Sequence, residues 1–108
     1  MNKILEVTIE EIKSHQDKYI LVDVREPHEL VGPEGKIEGV ILAPLGPVLA
    51  NFLRSADSTK EYVFICRSGF RSGKACELAT ALGFWQVYNL AGGMLEWNEK
   101  TSLPSFLI

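Results

Sequence analysis

The sequence of 108 residues lacks a long hydrophobic run, and this absence excludes a membrane-spanning helix. Its apolar stretches are far shorter than the roughly 18 residues that span a bilayer. Residues 1–15 have neither the apolar segment of a signal peptide nor the acid-poor composition of a transit peptide. A basic stripe is also missing, and the net charge of −3 argues against nucleic-acid binding. We therefore expect a cytoplasmic protein that binds neither membrane nor nucleic acid.

Cysteine and histidine are scarce, with two residues of each. His15 and His28 show no metal-ligand spacing, so we expect both at the surface and predict no metal or organic cofactor. Two cysteines in a cytoplasmic protein favour reduced thiols, either catalytic or buried, over a disulfide. Cys76 falls on the apolar face of a predicted helix and is interpreted as an inert core residue. The surroundings of Cys66 are different.

The composition, 46% apolar and 23% charged, is typical of one soluble domain with one core. Short apolar runs predict strands at residues 5–7, 19–24, 40–44, 62–66 and 86–90. Helical spacing and capping residues predict helices at residues 9–15, 27–30, 48–56, 72–82 and 93–100. This alternation predicts an α/β fold: a single domain of residues 1–108 with about five mainly parallel strands and helices on both faces. Residues 100–108 form an apolar C-terminal tail.

Three local features carry more specific expectations. The segment "TIEE" indicates a capping box, in which Thr8 accepts from the Glu11 N–H and the Glu11 side chain reaches back. The short strand at residues 40–44 is expected to be buried. Trp85 and Trp97 are interpreted as core anchors.

Cys66 ends the fourth predicted strand, and ligands of open α/β sheets bind at the carboxyl ends of strands. Gly69 gives the following loop backbone freedom, so several N–H groups can point at one spot beside a helix N-terminus. Arg67 and Arg71 add positive charge. We therefore expect an acidic thiol; a pKa lowered by two units needs only ~2.7 kcal/mol of preference for the thiolate.

Four motifs in one order resemble the rhodanese family of sulfurtransferases: "LVDVREPHEL", "GKIEGVILAP", "CRSGFRS" and "LAGGMLEW". The resemblance implies that Cys66 takes the outer sulfur of a small anion such as thiosulfate and becomes a persulfide. The sulfur then passes to cyanide or a thiol, or to a sulfur-relay protein. Carried over by position, the substrate-binding residues are Arg67, Ser68, Gly69, Phe70, Arg71 and Ser72. Arg71 is expected to hold the anionic end of the donor.

Three positions depart from the family pattern, and they bear on substrate preference. Lys36 stands where histidine is common, Phe70 stands where asparagine is common, and "EGVILAP" lacks the usual asparagine. Phe70 is interpreted either as an exposed apolar wall beside the sulfur or as a residue folded back onto the protein.

Asp23 and Arg25 follow the second predicted strand. They are interpreted as a structural ion pair that ties the end of that strand to neighbouring loops. Direct support of the active site is the alternative.

Three rival functions remain open. A phosphatase or arsenate reductase places five residues between its cysteine and arginine, whereas four separate Cys66 from Arg71, so the tighter loop favours a sulfane sulfur over a phosphate. A sulfur carrier for a cofactor or tRNA modification pathway would use the same persulfide. A non-catalytic partner-binding module usually lacks the cysteine.

Overall fold

The computed structural model describes residues 4–101 and places five strands in one parallel sheet. The strands are β1 Leu5–Val7, β2 Ile20–Asp23, β3 Ile41–Leu42, β4 Tyr62–Ile65 and β5 Val87–Leu90. Their order across the sheet is β1-β5-β4-β2-β3, and each pairing is parallel. The predicted α/β fold is therefore confirmed. Residues 102–108 of the predicted tail lie outside the described residues.

The helices pack on both faces of this sheet. They are α1 Ile9–Ser14, α2 Pro27–Leu30, α3 Pro47–Ser55, α4 Phe70–Ala81 and α5 Gly93–Thr101, with a short 3-10 helix at Gln16–Lys18. Alternate residues of a strand face opposite sides. Phe64 accordingly packs in a buried cluster with residues of α3 and α4, whereas Val63 packs with residues of α1 and α5. The central strand β4 is therefore buried on both faces.

Two expectations about burial are wrong, one of them in part, since Ala43 of the third predicted strand is buried. Ile41 and Leu42 of β3 are 40% and 38% exposed, because β3 pairs with β2 alone and forms an edge of the sheet. Trp85 is 70% exposed in the turn before β5, so it is not a core anchor. Trp97 does pack, partly buried, against the cluster beneath α1 and α5.

Half of the predicted capping box at α1 forms. The Thr8 hydroxyl accepts from the Glu11 N–H over 3.1 Å. The Glu11 carboxylate, which was expected to reach back to Thr8, instead accepts from the Tyr19 hydroxyl over 2.7 Å. The tertiary partner takes the carboxylate because Tyr19 lies within its reach in the folded chain.

Helix α4 begins two residues earlier than the sequence predicts. Gly69 precedes it with a φ of +106°, in the left-handed region that glycine adopts without a steric penalty. Arg71 and Ser72 therefore lie in the first turn of α4. The free N–H groups of that turn are available to a group at the end of β4.

Candidate active site

The sulfur of Cys66 lies at the carboxyl end of β4, at the start of the loop that leads into α4. The Gly69 N–H donates to Cys66 Sγ over 3.0 Å, and Ser72 Oγ lies 3.2 Å from the same sulfur. Cys66 is 1% exposed, so the thiol lies on the floor of its loop. The loop is built to contact the sulfur directly with hydrogen-bonding groups.

Two opposing effects act on the pKa of Cys66. Burial raises it, because a thiolate loses hydration in the interior. Hydrogen bonds from the Ser72 hydroxyl and from the N–H groups of Ser72, Gly69 and Ser68 lower it, and together they hold the pKa of Cys66 below its usual value. Hydrogen bonds from the loop thus outweigh burial and favour the thiolate.

Arg71 forms a two-pronged ion pair with Glu29 at the rim of the site. Its Nη1 and Nη2 atoms donate to the two carboxylate oxygens over 2.7 and 2.8 Å. The Arg71 hydrogen bonds lower the pKa of Glu29 to about 2, against the smaller effect of burial. Glu29 also accepts from the Glu26 N–H and so caps α2. The pair therefore fixes the guanidinium against α2 while leaving it partly exposed.

Arg67 lies farther out on the same loop. Its side chain is more than half exposed, and its Nε atom lies 3.6 Å from the Glu34 carboxylate. Ser68, the next residue, is also exposed. The two residues form an open rim above the sulfur.

Asp23 and Arg25 are fully buried and bind each other at the end of β2. Arg25 Nε and Nη2 donate to the Asp23 carboxylate over 2.9 and 2.8 Å. Arg25 Nη2 also donates to the Gly35 carbonyl over 2.7 Å, and Nη1 donates to the Glu29 carbonyl over 3.4 Å. This geometry fits the structural ion pair, since it ties the strand end to α2 and the glycine-rich loop.

Phe70 is 73% exposed at the start of α4, and Lys74 Nζ lies 5.5 Å from the centre of its ring. The ring is therefore exposed and not folded back onto the protein. A cleft of about 290 Å³ borders this ring and is also lined by Gly69 and Asn89. Phe70 is thus an exposed apolar side chain at the edge of this cleft.

Sequence reasoning missed three partners of the loop. Asn89 on β5 accepts from Ser72 and donates to the Gly69 carbonyl, and Glu29 holds Arg71. The N–H of Met94, in the first turn of α5, binds the Cys66 carbonyl. The sequence did contain a signal for Asn89, since it is a polar residue within the otherwise apolar strand β5.

Cys76 lies on the inward face of α4, packed in the core cluster. Burial raises its pKa to about 12, so this thiol stays protonated at neutral pH. The geometry matches the predicted inert core cysteine.

Within residues 4–101, no three His, Cys, Asp or Glu side chains lie close enough together to bind a metal ion. No helix in this described part of the chain has the length and hydrophobicity to cross a membrane.

The sequence model of the rhodanese-like domain matches residues 8–100. "Putative sulfurtransferase YtwF" of Bacillus subtilis is 39% identical over 92 residues, which cover 85% of this chain and 84% of the relative. "Putative sulfur carrier protein YrkF" of the same organism is 36% identical, and the match covers 93% of this chain and 54% of the relative. The structure of the human single-domain sulfurtransferase TSTD1 superposes with a TM-score of 0.77 at 28% identity and covers 91% of this chain and 98% of that one.

Proposed function

Because the chain belongs to the rhodanese-like domain family, we propose that it is a sulfurtransferase with Cys66 as its nucleophile. It moves a sulfane sulfur from a donor such as thiosulfate to a thiol or cyanide. The observation that carries this proposal is the sulfur of Cys66 held by the Gly69 N–H and beside Ser72, with a lowered pKa. A thiol with a lowered pKa forms the nucleophilic thiolate more readily than a free cysteine, and the same donors would stabilise an anionic persulfide.

The reaction has two displacement steps at sulfur. In the first, the Cys66 thiolate attacks the outer sulfur of thiosulfate, an S–S bond forms to Sγ, and sulfite leaves with the electron pair of the broken bond. In the second, a thiolate or cyanide attacks the terminal sulfur of the persulfide. The Sγ–S bond breaks, and its electron pair returns to Sγ. The loop N–H groups stabilise the negative charge in both states.

The rim residues supply the donor site in this proposal. Arg67 and Ser68 are exposed above the sulfur, and Arg71 is partly exposed. Both guanidinium groups are paired with carboxylates, so their net field is smaller than two free charges would give. We propose that the donor's anionic end binds beside Arg71 and the first turn of α4, where helix N–H groups add to the attraction. Phe70 forms the apolar side of this entrance.

The test is mass spectrometry of the intact protein after exposure to thiosulfate. We expect a gain of one sulfur atom that maps to Cys66 and is lost when cyanide is added. Cys66→Ser should gain none, whereas Cys76→Ala, which removes the core thiol, should still gain it. A wild-type protein that gains no sulfur from thiosulfate or from a persulfide donor would overturn the proposal.

A sulfur carrier for a cofactor or tRNA modification pathway is the second candidate, favoured by the similarity to the relative named a sulfur carrier. The chain spans about half of that relative, so its partners do not transfer directly. A carrier would receive sulfur from a protein persulfide much faster than from thiosulfate. Comparing the two loading rates separates the two functions. The cytoplasmic location expected from the sequence stays a prediction.

A non-catalytic module and a phosphatase make different predictions. In a module, Cys66 would resist iodoacetamide at neutral pH, whereas the proposed thiolate is alkylated readily and Cys76 is not. A phosphatase would turn over an aryl phosphate and leave thiosulfate untouched. Either result would replace the sulfurtransferase proposal.

A further inference from the structure

Asn89 on β5 is buried, with 6% exposure, and it bonds to two parts of the Cys66 loop. Its Oδ1 accepts from Ser72 Oγ over 2.5 Å, and its Nδ2 donates to the Gly69 carbonyl over 3.0 Å. The second bond fixes the orientation of the amide. A carbonyl can only accept, so Nδ2 must face Gly69 and Oδ1 must face Ser72.

The Ser72 hydroxyl has one proton to share between two neighbours. Asn89 Oδ1 can only accept, so the bond to Asn89 uses that proton. Ser72 Oγ then presents a lone pair to Cys66 Sγ at 3.2 Å. That contact is favourable to a thiol, whose S–H can donate, and unfavourable to a thiolate, which can only accept.

We propose that Asn89 is a positioning residue that gives the proton of the Ser72 hydroxyl two alternative acceptors, Asn89 Oδ1 and Cys66 Sγ. The proton points to Asn89 while Cys66 is a thiol, and it turns to the sulfur when Cys66 is a thiolate. Asn89 and the sulfur thus compete for one proton. The thiolate gains its hydrogen bond from Ser72 only by breaking the bond between Ser72 and Asn89.

This competition has a consequence for sulfur transfer, and that part rests on the function proposed above. When an acceptor takes the terminal sulfur of the persulfide, the electron pair of the broken bond returns to Cys66 Sγ. The hydroxyl of Ser72 then rotates towards the new charge, and no proton has to be transferred. The Ser72 hydroxyl turns back to donate to Asn89 when Cys66 is protonated again.

Glu6, Lys74 and Glu77 line the cleft beside Asn89 and keep their charge in the variants below. Three further pairs of charged groups near the loop make no contact with Asn89. They are Arg71 with Glu29, Asp23 with Arg25, and Arg67 with Glu34. All these charged groups are the same in every variant, so differences between variants report on the contacts of Asn89 and Ser72.

The test is the rate of Cys66 alkylation by iodoacetamide as a function of pH, read by mass spectrometry of the Cys66 peptide. Asn89→Leu removes the acceptor with little change of shape, so the hydroxyl is free for the sulfur. We expect the pKa of Cys66 to fall by roughly half a unit or more, which is about a threefold gain in the thiolate-to-thiol ratio. Ser72→Ala should raise the pKa, and Asn89→Leu in that background should have no further effect.

Asn98→Leu is the matched control, since Asn98 also donates to a backbone carbonyl, that of Glu34, over 2.8 Å. It should leave the pKa of Cys66 unchanged. A pKa that is unchanged or raised in Asn89→Leu would mean that the Gly69 bond is all that Asn89 contributes, and it would overturn the proposal. A fall in the pKa of Cys66 that Asn89→Leu still causes in the Ser72→Ala background would overturn the proposal as well.

Asn89→Asp keeps the test decisive if the leucine variant does not fold. A carboxylate holds the Ser72 proton more firmly and adds negative charge, so the pKa of Cys66 should rise. This rise in pKa should be larger with Ser72 present than in the Ser72→Ala background. Equal rises would refute the proposed competition for the Ser72 proton. Alkylation involves no sulfur transfer, so this result and that of the thiosulfate experiment can fail separately.

Discussion

Met94 donates its backbone N–H to the carbonyl oxygen of Cys66 over 2.9 Å, and this bond joins α5 to the loop that holds the sulfur. Leu95 makes the same kind of bond to the Arg67 carbonyl over 3.0 Å. The first turn of a helix has free N–H groups, and here loop carbonyls satisfy two of them. In a trans peptide the C=O and the next N–H point in opposite directions. Binding the carbonyls to α5 therefore turns the following N–H groups towards the other side of the loop.

Gly93→Ala should disrupt this junction. A Cβ at Gly93 would lie 2.5 Å from the Cys66 carbonyl oxygen, and the residue has a φ of +57°. The left-handed backbone alone costs a non-glycine residue about 1 kcal/mol, and moving α5 from the loop adds to that. We expect a loss of about 2 kcal/mol or more in the free energy of unfolding, measured by urea denaturation, together with a raised pKa of Cys66.

Gly35→Ala is the control for that change. Gly35 has nearly the same φ, +61°, and nothing lies within 4 Å of the Cβ that alanine would add. It should therefore show the backbone cost alone, about 1 kcal/mol, with an unaltered pKa of Cys66. Equal effects of the two substitutions would show that the contact between α5 and the loop does not constrain the site.

The sequence predicted the fold and the place of Cys66 at the end of β4, because both depend on local patterns. The apolar run that ends at Cys66, the glycine at position 69 and the helix that follows are neighbours in the chain. Glu29 and Asn89 could not be found in this way, since they lie 42 and 17 residues from their partners Arg71 and Ser72. Their choice of partner depends on which strands lie side by side. The start of α4 was misplaced by two residues because Gly69, which offers no capping side chain, takes the N-cap position.

Arg71→Ala should impair donor use more than stability. The guanidinium is partly exposed and pairs with Glu29, and partly exposed ion pairs contribute about 1 kcal/mol or less. Loss of one charge-assisted contact to the donor costs about 1.5–3 kcal/mol, or about tenfold to a hundredfold in kcat/KM for thiosulfate.

Glu29→Gln separates the charge of Arg71 from its placement. The variant weakens the pair and leaves more of the guanidinium's field for the donor, so kcat/KM for thiosulfate should be kept or raised. If kcat/KM for thiosulfate instead falls as far as in Arg71→Ala, the fixed position of Arg71 matters more than its charge. Donor use that is unchanged in Arg71→Ala would remove this residue from the proposed site.

Stability should fall below pH 4.5 through Glu29. Its pKa is about 2 in the folded protein against an ordinary 4.5, because Arg71 binds the carboxylate. The unfolded chain therefore takes up a proton first, so the stabilisation is complete above pH 4.5 and is lost as the pH falls towards 2. We expect the change to be on the order of 1 kcal/mol, since the pair is partly screened by solvent. Urea unfolding of wild type and Glu29→Gln at several pH values measures this change. If the free energy of unfolding depends on pH in the same way in both proteins, the prediction is contradicted.

Asp23→Asn should be the most damaging change away from the sulfur. It removes the countercharge of a fully buried Arg25, and breaking a buried ion pair costs about 3–5 kcal/mol because the remaining charge has no partner. The exposed pair of Arg67 with Glu34 is the comparison, since Glu34→Gln should cost less than about 1 kcal/mol. Urea denaturation of both variants tests the difference. If Asp23→Asn costs no more than Glu34→Gln, the carboxylate does not anchor the end of β2. Asp23 would then have to be considered again as a direct support of the active site.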